Sequence, residues 1–167
     1  MSKEKVLTAT KSAGYVALIL IAGWILLLAL QVMRWSGIID VNIGGGSNIK
    51  AIAWNADSTV LMIQYIELAG YVISSVIMIG MSFLFIRKCL SKLKMGKIFS
   101  SRNVGYLWGM TITDLFFELF TTNCNILFGV REIQVNSDII VSPLFFLVIT
   151  LLYQLAVYAS EENDLTI

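Results

Sequence analysis

Four long apolar runs, separated by polar segments, dominate the sequence. The runs lie at about residues 14–33, 68–86, 104–130 and 139–159. A helix needs about 20 apolar residues to cross the hydrocarbon core of a bilayer. The pattern therefore predicts an all-α integral membrane protein whose 167 residues form a single membrane domain. We expect a four-transmembrane-helix bundle with a longer extracytoplasmic loop, residues 34–67, between its first two helices.

The basic residues predict how these spans are oriented. Nine lysines and arginines fall on one side of the predicted spans and three on the other. Short loops rich in lysine and arginine stay in the cytoplasm. We therefore predict a multi-pass protein with cytoplasmic N- and C-termini. The nine are Lys3, Lys5, Lys11, Arg87, Lys88, Lys92, Lys94, Lys97 and Arg102, and the three are Arg34, Lys50 and Arg131.

Composition argues against an enzyme. The chain has no histidine and only two cysteines, Cys89 and Cys124. It therefore lacks the usual general base and the commonest metal ligand. The sequence also has no Ser/His or Cys/His couple and no nucleotide-binding loop. We predict no catalytic residue, no metal and no cofactor.

The third run is the most polar and carries two acids. Asp114 and Glu118 are four residues apart and share a helix face, which Thr121 and Asn125 extend. An ionised carboxylate at this depth is costly, so the stripe should face the bundle interior or a wet cavity. Three hypotheses remain open: hydrogen bonds between helices, a proton, cation or solute site, or contact with another membrane protein, including a second copy.

Charge also marks two segments on the predicted cytoplasmic side, the basic loop 87–103 and the acidic tail 160–167. The basic side chains can set topology and touch anionic lipid, or they can bind a protein. Apolar residues between the charges fit a bilayer surface better than nucleic acid, so we expect no direct nucleic acid binding. The residues in question are Arg87, Lys88, Lys92, Lys94, Glu161, Glu162, Asn163 and Asp164.

Residues 96–103, with Gly96, Phe99 and Asn103 in a G-x-x-F-x-x-x-N pattern, resemble a cytoplasmic turn of a family of small bacterial membrane proteins. Residues 161–167 resemble the C-terminal ending of the same family, catalogued as domain of unknown function 2975. The resemblance implies the inner membrane of a bacterium and no known reaction. Family members are often encoded beside a small helix-turn-helix transcription regulator, which implies a cytoplasmic partner.

Two functions follow as hypotheses. The first is a non-enzymatic membrane protein that binds or restrains a cytoplasmic regulator through residues 87–103 and 160–167. The alternative is a small transporter or channel that handles protons or solutes with Asp114 and Glu118.

Overall fold

The computed structural model describes residues 2–39, 51–94 and 99–165, and they are helices joined by loops. In chain order the described helices are α1 (Lys3–Trp35), α2 (Ser58–Lys94), α3 (Ser101–Asn123), a 3-10 helix (Cys124–Phe128) and α4 (Asp138–Leu165). Within the described residues, three helices are long and apolar enough to cross a membrane, namely α1, α2 and α4. The all-α prediction is confirmed for this part of the chain. The polar helix α3 is not among those three.

The helices pack side by side in chain order. α1 packs on α2, α2 on α3, and α3 on α4, so α3 lies between two neighbours. One apolar cluster, around Met78, Leu107 and Met110, joins α2 to α3. A second joins Trp35 of α1 to Tyr71 of α2 and to the 3-10 helix. Most of α1 and α4 is exposed and apolar, as expected of surfaces that face lipid.

The bundle has two chemically different ends. At one end α1 and α3 begin while α2 and α4 finish, and we call it the basic end because Arg87, Lys88 and Lys92 lie there. At the other end, residues 51–57 lead into α2. The Ile52 N–H donates to the Trp35 carbonyl oxygen (3.0 Å) and the Ala53 N–H to the Leu127 carbonyl oxygen (3.1 Å). We call residues 51–57 the clasp, and this end the clasp end.

Local chemistry fixes where the helices start and stop. At the start of α2 the Asp57 carboxylate accepts a hydrogen bond from the Thr59 N–H at 2.8 Å, as N-cap residues do. α1 finishes at a turn in which Gly37 has a φ of +77°, a conformation that favours glycine. Gly129, with a φ of +92°, ends the 3-10 helix in the same way. Pro143 lies in the second turn of α4 without ending the helix.

The predicted runs and the observed helices differ mainly at their ends. α2 begins at Ser58 rather than near residue 68, so the predicted loop 34–67 is too long. α3 finishes at Asn123 and is followed by the 3-10 helix, whereas the apolar run continues to residue 130. α4 continues through Leu165, so most of the predicted tail is helical. Gly96 and residues 40–50 lie outside the described residues, as do the side chains of Lys94, Asn163 and Asp164.

Candidate functional site

Hydrogen-bonding side chains follow the whole seam between α3 and α4. Asp114 is only 3% exposed, and its carboxylate accepts a hydrogen bond of 2.7 Å from the Ser142 hydroxyl. The hydroxyls of Thr111, one turn before Asp114, and of Thr150, two turns after Ser142, are 2.9 Å apart, and both residues are buried. The part of the predicted polar face that holds Asp114 is therefore covered by a hydroxyl-rich face of α4. Hydrogen bonds between helices of this kind stabilise bundles in a membrane.

Glu118 continues the seam one turn beyond Asp114. It is half-buried, and Asp114, Asp138 and Ser142 lie close enough to influence its charge. The stretches 103–130 and 138–165, which form this seam, contain no lysine or arginine. A negative charge here has no cation from either stretch to balance it, so a carboxyl is most stable when it carries a proton or meets an external cation.

Thr121 and Asn125 lie elsewhere than predicted, since both are exposed. The reason lies in the length of α4. Its first residue, Asp138, is opposite Glu118, so the next turn of α3 has no helix to cover it. Asn125 lies in the 3-10 helix, where the helical repeat of α3 has already ended. The structure thus brings Asp114 and Glu118 together in the seam, whereas Thr121 and Asn125 lie outside it.

The family-like motif at the basic end is a structural connection. Asn103 is 1% exposed, and its amide donates to the Cys89 sulfur (3.3 Å) and to the Tyr153 hydroxyl (3.1 Å). Phe99 packs edge-on against the ring of Tyr153, with centroids 5.5 Å apart. One amide therefore ties together α2, α3 and α4. Because Asn103 is enclosed, its side chain cannot contact a partner as predicted, whereas Phe99 remains partly exposed.

The charged side chains of the basic end are accessible. Arg87 is exposed, and Lys88 and Lys92 are half-exposed, on the last turns of α2. Glu161 and Glu162 are exposed on the last turns of α4. The two charged segments thus project from the same end of the bundle, on ordered helices.

A third acidic site, at the clasp end, was not predicted. Glu67 is 6% exposed, although the sequence places it at the edge of the second apolar run. One turn before it lies Gln64, which is completely buried. The spacing of Gln64, Glu67 and Tyr71 on one helix face was the only sequence signal. It was missed because a polar stretch before an apolar run is typical of a loop.

No described group of three or more His, Cys, Asp or Glu side chains is arranged to hold a metal ion. Comparisons with protein-family models, curated proteins and solved structures give no match. The resemblance of residues 96–103 and 161–167 to a bacterial family stays a prediction.

Proposed function

We propose that this chain is a multi-pass protein of the bacterial inner membrane that binds or restrains a cytoplasmic partner and catalyses no reaction. In this proposal all four helices span the membrane and both termini are cytoplasmic. The basic end then faces the cytoplasm and the clasp end faces outward. The excess of lysine and arginine near the basic end supports this orientation.

The observation that supports a binding role is the ordered, charged projection at the basic end. α2 has 37 residues and is about 55 Å long, which exceeds the hydrocarbon thickness of about 30 Å. Its last turns are held against α1, because Leu90 packs at Gly14 and Leu93 is buried. Arg87 and Lys92 are thus displayed on a supported helix. An acidic surface on a cytoplasmic partner suits this display.

The test uses a fluorescent fusion of a helix-turn-helix regulator encoded beside the gene. With the intact chain we expect the fusion at the membrane. Deleting residues 160–167, or making the triple variant Arg87→Gln, Lys88→Gln and Lys92→Gln, should release it to the cytoplasm. The matched control is Arg131→Gln, which removes a basic residue at the other end. Unchanged retention in both altered proteins would overturn the proposal.

A second function is favoured by the acids of the α3–α4 seam. Asp114 is buried, its recorded hydrogen bond comes from a neutral hydroxyl, and no basic residue lies in its own helix beyond Arg102 or in α4. Acids within spans often mark pathways for protons or cations. We propose proton or solute handling through Asp114 and Glu118 as the alternative role.

Proteoliposomes containing a pH-sensitive dye test this alternative. An imposed potential should drive proton entry with the wild type. Asp114→Asn combined with Glu118→Gln should abolish it, whereas the exposed control Asn125→Ala should retain it. Absence of flux in the wild type, or equal flux in the double variant, would remove this function.

A further inference from the structure

Two buried polar atoms at the clasp end have no hydrogen-bond partner among the described residues. They are Oε1 of Glu67 and Nε1 of Trp35, which is itself only 3% exposed. Glu67 lies one turn before Tyr71, whose ring contacts that of Trp35 with centroids 5.1 Å apart. A buried carboxyl oxygen and a buried indole N–H therefore adjoin the same aromatic cluster. Native proteins rarely leave such groups unsatisfied, and those that do often place them at functional sites.

The surroundings of Glu67 hold other titratable groups but no basic residue from the neighbouring α2 and α3 segments. Tyr71 lies one turn further along α2 than Glu67. Cys124 of the 3-10 helix is close enough to Glu67 for the two groups to interact electrostatically. Residues 51–86 and 103–130 contain no lysine or arginine. Arg34, which precedes Trp35, is the basic residue at the clasp end of α1.

The clasp is held by the backbone hydrogen bonds of Ile52 and Ala53 and, in addition, by the side chain of Gln64. The Gln64 side-chain oxygen accepts a hydrogen bond from the Asn55 N–H at 3.0 Å. Its amide group donates to the carbonyl oxygens of Ala53 (2.9 Å) and Ile126 (3.2 Å). Ile52, a residue of the clasp, is buried next to Trp35. Glu67 lies one turn along α2 from Gln64 and on the same helix face.

We propose that Glu67 is a proton-binding site that the clasp opens and closes. In the closed form, a charged carboxylate would be enclosed with no lysine or arginine from residues 51–86 and 103–130 beside it, which strongly disfavours the charged form. The closed form therefore holds the neutral acid, and loss of the proton favours the open form, where water reaches the carboxylate. Proton binding and closure of the clasp are thus linked. The site is distinct from Asp114 and Glu118, so both functions proposed above stand or fall separately from it.

Dicyclohexylcarbodiimide, an apolar reagent for protonated carboxyls, tests the site on the full chain in detergent micelles. The carboxyl proton moves to one carbodiimide nitrogen and the carboxyl oxygen bonds to the central carbon. An acyl shift from oxygen to nitrogen then gives a stable N-acylurea, and nothing leaves. We expect this adduct on Glu67, located by peptide mass spectrometry. Its rate should fall with rising pH, approaching roughly tenfold per unit where the carboxylate dominates.

The variant Gln64→Ala tests the role of the clasp. It removes the two hydrogen bonds between Gln64 and the clasp and the third to Ile126, which should favour the open form. At a pH low enough to keep Glu67 protonated in both proteins, Glu67 should therefore react several-fold faster than in the wild type. Gln154→Ala, which alters a partly exposed glutamine near the basic end, is the matched control and should leave the rate unchanged. Absence of an adduct on Glu67 at every pH, or equal rates in Gln64→Ala and the wild type, would overturn the proposal.

Tryptophan emission provides a second measurement, which does not need Gln64→Ala to fold. Trp35 belongs to the cluster beside Glu67, so its fluorescence should change as Glu67 gains or loses its proton. The pH-dependent part of the emission should disappear in Glu67→Gln. If it persists unchanged in that variant, or if the wild type shows none, the link between Glu67 and its surroundings is refuted.

Discussion

Asn103 joins three helices through one buried amide, and its two recorded partners come from different helices. Cys89 belongs to α2 and Tyr153 to α4, while Asn103 itself starts the first turn of α3. No apolar residue of similar size can make both hydrogen bonds. The asparagine of the family-like motif is therefore explained by packing at the basic end.

We predict that Asn103→Ala lowers the free energy of unfolding by about 1–3 kcal/mol, because it leaves a partly buried hydroxyl and thiol without their amide donor. Thermal unfolding of the purified chain in detergent should show a lower midpoint. Asn125→Ala, at an exposed asparagine, serves as the control and should leave the midpoint unchanged. Equal midpoints for Asn103→Ala and the wild type would contradict the packing role.

The positions of single side chains were predictable from the sequence only where the spacing along a helix determines them. The spacing of Asp114 and Glu118 placed them on one face, and the structure has both on the α4 side of α3. Gln64 was not predictable, because its partners depend on where the clasp crosses the bundle. The sequence around Gln64 does not encode the path of the clasp.

At the scale of elements, the contact between α2 and α3 depends on a missing side chain. A Cβ atom placed on Gly70 would overlap the ring of Phe120. The Phe120 ring therefore lies directly on the backbone of α2. Small residues permit this close approach between helices in membranes.

Gly70→Ala should therefore push α2 and α3 apart and destabilise the fold by about 1–3 kcal/mol, the usual cost of overpacking. Gly80→Ala is the matched control, because a Cβ there meets no atom within 4 Å. It should be neutral or stabilising, since alanine favours helix more than glycine does. Thermal unfolding in detergent measures both. A Gly70→Ala protein as stable as Gly80→Ala would contradict the close packing.

The loop between the 3-10 helix and α4 depends on Asn123. Its side chain donates to the Gln134 carbonyl oxygen at 3.2 Å and accepts from the Gln134 N–H at 2.8 Å. Asn123→Ala should release this loop and increase trypsin cleavage after the exposed Arg131 several-fold. Thr121→Ala, at an exposed position, should be cleaved like the wild type. Unchanged cleavage of Asn123→Ala would show that other contacts hold the loop.

Elements were predictable in number but not in extent. Each apolar run corresponds to a helix, because length and composition suffice to identify such runs. The start of α2 was missed because Gln64 and Glu67 are typical of a loop until the clasp buries them. The end of α3 was missed because an apolar run does not distinguish an α-helix from the 3-10 helix that follows it.

At the scale of the whole molecule, the side of the membrane on which each loop and terminus lies distinguishes a protein with four spans from one with three. A background with Cys89→Ser and Cys124→Ser can carry one new cysteine at Ser2, Glu132 or Glu161. In intact cells, an impermeant maleimide should label Glu132→Cys and spare Ser2→Cys and Glu161→Cys. Permeabilised cells should label all three. Labelling of Ser2→Cys or Glu161→Cys in intact cells would contradict the proposed orientation.

The position of α3 between α2 and α4 has a consequence for how the chain is made if all four helices span the membrane as proposed. Because it carries Asp114 and Glu118, α3 is then the least suited of these helices to leave the translocation machinery for lipid alone. Its acidic face becomes compatible with the bilayer when Ser142 and Thr150 of α4 cover it. Synthesis reaches α4 after α3, so in the proposed four-span protein α3 must wait beside α2 until α4 emerges. A chain cut short before α4 would expose a charged helix to lipid and become a substrate for membrane quality control.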